Sequence, residues 1–289
     1  VLAGGGVLEL PWLDRCKALL HGYLGGQAGA GAAADLLTGK VDPSGRLAET
    51  FPLVLADAPN ARYFPGRERT AEYREGLFVG YRYYQTVGKP VAFPFGFGLS
   101  YTTFAYSDLS VRRDEVSFTL TNTGTRAGAE VAQMYLTGPR DRVFRPALEL
   151  KGFQKVTLQP GETRRVTIPL DGYAFRWFNP RTNQWEVEGG AYQVYVGSSS
   201  RDLPLTWEEA AFTLHVKELS VNWTKGQVTA KVVGRALMTR GAPAQAEALL
   251  EEDLRAVLQR LNAASSPLKS ASSSGMQVRP SLGSSNCRM

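Results

Sequence analysis

The spacing of apolar residues changes character along the chain, and each change predicts a different kind of structure. Near the N-terminus, a short apolar run beginning at Val1 reads as a buried strand. Leu13, Cys16, Leu20, Tyr23 and Leu24 then follow three–four spacing, which predicts a helix from Leu13 to Leu24. Gly25-Gly26-Gln27-Ala28-Gly29 interrupts it, and a second helix of small residues is expected over Ala30 to Leu37 with Gly39 as its C-terminal cap. Asp42-Pro43-Ser44-Gly45 predicts a turn and Arg46 to Phe51 a short strand. So small a strand–helix–strand piece cannot cover both faces of a parallel sheet, so residues 1–52 read as the closing part of an α/β domain.

From Asp108 to Val216 the period drops to two. Val116/Phe118/Leu120, Val131/Gln133/Tyr135, Val166/Ile168/Leu170 and Tyr192/Val194/Val196 each place alternate residues on one face. Turn signals separate them at Asn122-Thr123-Gly124, Gln159-Pro160-Gly161-Glu162 and Glu188-Gly189-Gly190. With Asp108–Val111, Leu148–Lys155 and Phe212–Val216 added, the pattern predicts a seven-stranded sandwich of immunoglobulin or fibronectin type III kind, assigned to residues 105–216.

Between these halves, residues 53–104 form a long connection. It ends in Phe93-Pro94-Phe95-Gly96-Phe97-Gly98-Leu99-Ser100-Tyr101-Thr102-Thr103-Phe104. Five aromatics among two glycines predict a connection folded down between larger bodies, because rings bury much area and glycine allows close backbone approach. Beyond the sandwich, Val221 to Val233 predicts a hairpin. Ala244 to Leu261 predicts an amphipathic helix with Leu250, Leu254, Val257, Leu258 and Leu261 on one stripe, within an extension of residues 217–264. Residues 265–289, with nine serines in 25 positions, read as disordered. The fold expected is thus an α/β fragment, then an all-β sandwich, then a partly helical, partly disordered tail.

Composition narrows the function. The 43% hydrophobic and 21% charged content is that of a globular chain, and no apolar run reaches the about 18 residues a membrane helix needs. The net charge of +6 comes mostly from residues 217–289, which carry ten Lys/Arg against five Asp/Glu. A basic stripe with interleaved aromatics is missing, so neither nucleic acid nor membrane is an expected partner. Cys16 and Cys287 lie far apart in unlike contexts, and His21 and His215 have no cysteine pair beside them, so no disulfide, metal or other cofactor is expected. Gly4-Gly5-Gly6 lacks the Lys-Ser/Thr of a phosphate loop, and Asn222-Trp223-Thr224 matches the three-residue glycosylation pattern.

Three blocks then resemble one family, in that family's order. Gly25-Gly26-Gln27-Ala28-Gly29, Ala33 to Gly39 and Asp42-Pro43-Ser44-Gly45-Arg46-Leu47 with Thr50-Phe51-Pro52 resemble the close of the α/β sandwich domain of glycoside hydrolase family 3. Tyr73 to Tyr84 and Phe93 to Phe104 resemble its linker in the β-glucosidase-like form. Arg145-Pro146, Leu150 to Val156 and Pro160-Gly161-Glu162-Thr163 resemble its fibronectin type III-like C-terminal domain. The resemblance runs over residues 1–216. It implies a retaining β-glycosidase acting on a β-linked oligosaccharide or aryl glycoside. In that family an aspartate on an N-terminal barrel is the nucleophile and a glutamate of the α/β sandwich is usually the acid/base. Such a pair needs its two carboxyl groups about 5 Å apart, one ionised and one protonated. Neither maps onto this chain, so no catalytic residue is expected here, and the missing barrel becomes the expected partner.

Glu75, Tyr81 and Arg82 are the candidates for contact with substrate: an acid beside Gly76, a ring able to stack on a pyranose, and a guanidinium able to clamp a carboxylate. The alternative role for Glu75 is a salt bridge or hydrogen bond that holds the connection to the missing barrel, and for Tyr81 and Arg82 it is packing. Glu9 is expected as a cap or sheet-edge acid and Trp12 as a domain-surface ring, and Tyr83 is a further ring able to stack on a sugar. Trp177 and Trp185 could stack on a sugar, but core or interdomain packing is the expectation for both. A stand-alone binding or scaffold protein, or a carbohydrate-binding module, are the alternative readings of the whole chain.

Overall fold

The computed structural model describes residues 1–66, 69–112, 114–140, 143–171, 173–188, 190–211, 214–224, 227–236 and 286–287. Two compact units are present: residues 1–186 with 192–208, and residues 187–191 with 209–289.

The first unit holds the sandwich, apart from residues 190–191 and 209–211 at the ends of two strands. One sheet has three strands in the order β3 (Phe104–Val111), β4 (Glu115–Asn122) and β7 (Thr163–Pro169). The other has four, in the order β11 (Leu205–Ala211), β10 (Gly190–Gly197), β5 (Gly128–Thr137) and β6 (Glu149–Leu158). β3–β4, β4–β7, β5–β6 and β5–β10 pair antiparallel, with β4 in continuous register against β7 from Glu115↔Pro169 to Thr121↔Thr163. Alternation sends Val116, Phe118 and Leu120 inward with Val166 and Ile168, and all are buried. Met134, Leu136, Val194 and Val196 oppose them from the second sheet. Gly152 lies so close to Ile168 that a Cβ there would collide with it, which sets how nearly β6 and β7 approach. A smaller hairpin, β8 (Arg176–Asn179) with β9 (Gln184–Val187), belongs to the same unit apart from its last residue.

The family-3-like segment is less regular than its apolar spacing predicts. Its longest helix among the described residues is α1 (Gly29–Leu37), which ends where Gly39 takes φ +72 and returns its N–H to the Leu36 carbonyl. The helix expected over Leu13–Leu24 is absent apart from a single 3-10 turn, Leu13–Arg15. Leu2 explains this: its N–H bonds the Leu20 carbonyl and its carbonyl takes the Gly22 N–H, so residues 20–22 pair alongside it in parallel instead of coiling. The N-terminal run forms an isolated bridge, Leu2 with His21, rather than a buried strand, and Val1 is 77% exposed. Asp42–Gly45 forms neither a turn nor a regular element, and the short strand shrinks to β1 (Phe51–Pro52), paired with β2 (Val91–Phe93). Pro52 brings no N–H to that pairing. Between them lies α2 (Tyr81–Thr86).

The period-two pattern also misplaced the last sandwich strand. β11 is Leu205–Ala211, whereas Leu214–Val216 belongs to β12 (Leu214–Thr224) of the second unit. There β12 and β13 (Gln227–Ala236) form the hairpin expected around Val221–Val233, with a bulge between Val216 and Glu218. Within the stretch read as disordered, Asn286–Cys287 (β14) pairs with His215 and Leu214. The helix expected over Ala244–Leu261 lies outside the described residues.

Candidate functional site

The outer face of β5 carries the contacts that organise the first unit. On an ordinary sandwich strand one face meets solvent, but here Gln133 and Tyr135 are as buried as Ala132 and Met134 on the other face. The aromatic connection covers them. Gly96, at φ +81, lies against the Gln133 amide, and a Cβ on it would run into that side chain. Gln133 Nε2 donates to the carbonyls of Gly96 (3.1 Å) and Ser198 (2.5 Å), while Tyr135 Oη donates to its Oε1 (2.5 Å). Burial raises the Tyr135 hydroxyl well above the ordinary tyrosine pKa, so it remains a donor.

The connection is tied equally to the segment before it. Gly96 N–H bonds the Leu47 carbonyl (2.7 Å) and Leu47 N–H the Phe97 carbonyl (2.9 Å). Asp42 accepts from Ser100 Oγ (2.9 Å) and from the Tyr101 N–H (2.7 Å), and Tyr101 Oη donates to the Leu36 carbonyl of α1 (2.8 Å). Arg46 crosses the seam to Glu130 on β5 at 2.8 Å, with both side chains about 93% buried or more. A buried ion pair does little unless its remaining groups are satisfied, and here Glu130 Oε1 also takes the Val131 N–H (2.7 Å).

The three candidate contact residues stand close in sequence but differ in setting. Tyr81, on the first turn of α2, stacks on Phe95 (4.8 Å between centroids), meets Tyr135 edge-on (5.9 Å) and accepts the Leu150 N–H at its hydroxyl (2.7 Å). Arg82 is half-buried on the same helix, and its carbonyl accepts from Thr86 Oγ1 (2.6 Å). Glu75 sits in the preceding turn, where its carbonyl takes the Phe78 N–H, and its Oε2 is buried with no hydrogen-bond partner. Nearby, Phe78 stacks on the exposed Phe144 (4.8 Å).

Of the other acids and rings, Glu9 caps the Leu55 N–H. Trp12 is 38% exposed, as a domain-surface ring would be. Tyr83 packs edge-on against the buried Tyr84. Trp177 lies with Arg145 over its ring (5.4 Å) in a small pocket shared with Phe175, Glu149 and Tyr192, a packing role as expected. Trp185, at 60% exposure, is not part of the sandwich core. Sequence reasoning missed the buried polar contacts of Gln133, Arg46 and Glu130; a glutamine and a glutamate inside an otherwise apolar β5 run were the signal. Among the described residues, no group of three or more His, Cys, Asp or Glu side chains is placed to hold a metal ion, and no helix is long and apolar enough to cross a membrane.

Comparison with known proteins agrees with this geometry. The family profile "Glycosyl hydrolase family 3 C-terminal domain" matches residues 1–101, and "Fibronectin type III-like domain" matches residues 130–200. The thermostable beta-glucosidase B of Acetivibrio thermocellus is 49% identical over 213 residues, 71% of this chain and 28% of that protein. An exo-alpha-(1->6)-L-arabinopyranosidase of Bifidobacterium breve is 45% identical over 212 residues, again 71% and 28%. The crystal structure of a Bifidobacterium adolescentis GH3 beta-glucosidase superposes with a TM-score of 0.69 at 43% identity, covering 72% of this chain and 32% of that one. The chain thus spans about 28% of the length of the curated relatives it matches. It belongs to glycoside hydrolase family 3, carrying the family's C-terminal domain followed by a fibronectin type III-like domain.

Proposed function

We propose that this chain is the C-terminal part of a retaining β-glycosidase that removes terminal β-linked sugars, and that it braces a catalytic barrel rather than doing the chemistry. The observation that carries the proposal is the 49% identity to a beta-glucosidase over 71% of the chain but only 28% of that enzyme. The buried Arg46–Glu130 pair and the Gln133 seat give the bracing role a physical form, because they tie the family-3 segment to the sandwich as one body. On this proposal residues 1–52 close an α/β sandwich, 53–104 link it to the fibronectin-like module of 105–216, and 217–264 and 265–289 are extensions. Glu75, with its orphaned buried oxygen, faces the missing barrel, while Tyr81 and Arg82 hold the linker in place. The near-equal match to a glucosidase and an arabinopyranosidase supports placing sugar choice outside this part.

The purified chain should show no turnover of an aryl β-glucoside. Mixed with the part of the Acetivibrio thermocellus enzyme that precedes the matched stretch, it should form a complex with measurable turnover. Turnover by the chain alone, abolished by Glu75→Gln, would overturn the proposal.

A further inference from the structure

The hairpin β8–β9 has its polarity reversed. Trp177 and Glu186 turn to one side: Trp177 lies beneath Arg145 in the small pocket, and Glu186 accepts both of its Asn179 Nδ2 bonds at 3.0 Å and one from Thr182 Oγ1 at 2.6 Å. Strand alternation therefore sends Phe178 and Trp185 to the opposite side. There their rings meet edge to face, 5.5 Å between centroids and 67° between planes, at 44% and 60% exposure. A carboxylate faces the protein while an indole faces water. A one-residue shift of β9 would reverse that, yet the Asn179–Glu186 bonds fix the register as it stands. Neither ring is needed for the sandwich core, which closes through Val116, Phe118, Ile168, Val194 and their neighbours.

We propose that the Phe178–Trp185 ring pair is a saccharide-binding platform, on which the apolar face of a pyranose in a β-linked glucan stacks. Size argues against a protein partner. Two partly exposed rings offer on the order of 200 Å² of apolar surface. A stable protein interface needs about 800 Å² from each partner. A flat sugar ring matches the smaller area, and Asn183, in the turn between the two strands, adds a neutral amide able to bond sugar hydroxyls. The Asn179–Glu186–Thr182 bonds hold the hairpin in shape, so stacking requires no reordering of its backbone. The platform is separate from the bracing role and needs no turnover to be read.

The test uses the full chain. Retention on microcrystalline cellulose and a fluorescence titration with cellohexaose should both show saturable binding. Trp185→Ala should weaken it by about tenfold or more, Phe178→Ala by a smaller factor, and Trp185→Phe, which keeps a flat ring, should retain most of it. Melting curves check that these exposed substitutions leave the fold intact. No binding by the parent chain, equal binding by Trp185→Ala, or a concentration-dependent dimer lost in Trp185→Ala would each overturn the proposal, the last by assigning the rings to a second copy.

Discussion

At the scale of single residues, Gly96 and the Arg46–Glu130 pair govern how the connection sits on the sandwich. Gly96 combines a positive φ with a close approach to Gln133, so any side chain meets both a strained backbone and a collision. Gly96→Ala should lower stability by about 2–4 kcal/mol, read as a fall in denaturant midpoint at unchanged slope. Arg46 and Glu130 are both withdrawn from water, so removing one partner leaves the other as an uncompensated buried charge. Arg46→Met or Glu130→Leu alone should cost about 3–5 kcal/mol, and the double substitution clearly less than the sum. A double-mutant cycle with no coupling would show that the pair contributes only packing. Neither feature was visible in the chain as letters. A glycine in a Phe-rich run signals close approach, but only the folded chain says that Gln133 is what approaches.

At the scale of elements, the tyrosines packed along α2, β3 and β5 make stability depend on alkaline pH. Burial, with the charge of Asp57 beside it, pushes the Tyr84 hydroxyl up to about 12. Burial also raises Tyr106 and Tyr135, with Glu130 adding to the shift of Tyr106. A raised pKa in the folded state means that the native protein holds these protons more tightly than the unfolded chain does. Their stabilisation is complete below the ordinary tyrosine value near 10 and is lost as pH rises above it, for Tyr84 through about 12. Unfolding free energy measured from pH 8 to 12 should therefore hold level and then fall, with a smaller fall in Tyr84→Phe; a flat profile would remove tyrosine burial as a source of stability. Period-two strands were readable because sheet pairing preserves alternation, and Val116/Phe118/Leu120 and Tyr192/Val194/Val196 are buried as that alternation requires. The helix expected over Leu13–Leu24 failed for a nonlocal reason: Leu2 claims the backbone groups of Leu20 and Gly22.

At the scale of the molecule, the ties across the seam predict that the family-3 segment and the sandwich unfold together. The amides of Leu47 and Gly96, which bond across the connection, should exchange hydrogen with an opening free energy matching that of amides in β5. Much faster exchange at Leu47 and Gly96 would mean that the segment opens on its own and cannot brace a barrel. The sequence by itself determined the family, the order of its blocks and the faces of most strands, because motifs and alternation are local properties of neighbouring residues. Only the tertiary structure decided that β5 is covered on both faces, that Arg46 meets Glu130 across 84 positions, and that Trp185 is turned outward while Glu186 is turned in. Each of these depends on residues brought together by the fold, and local spacing carries no record of such partners.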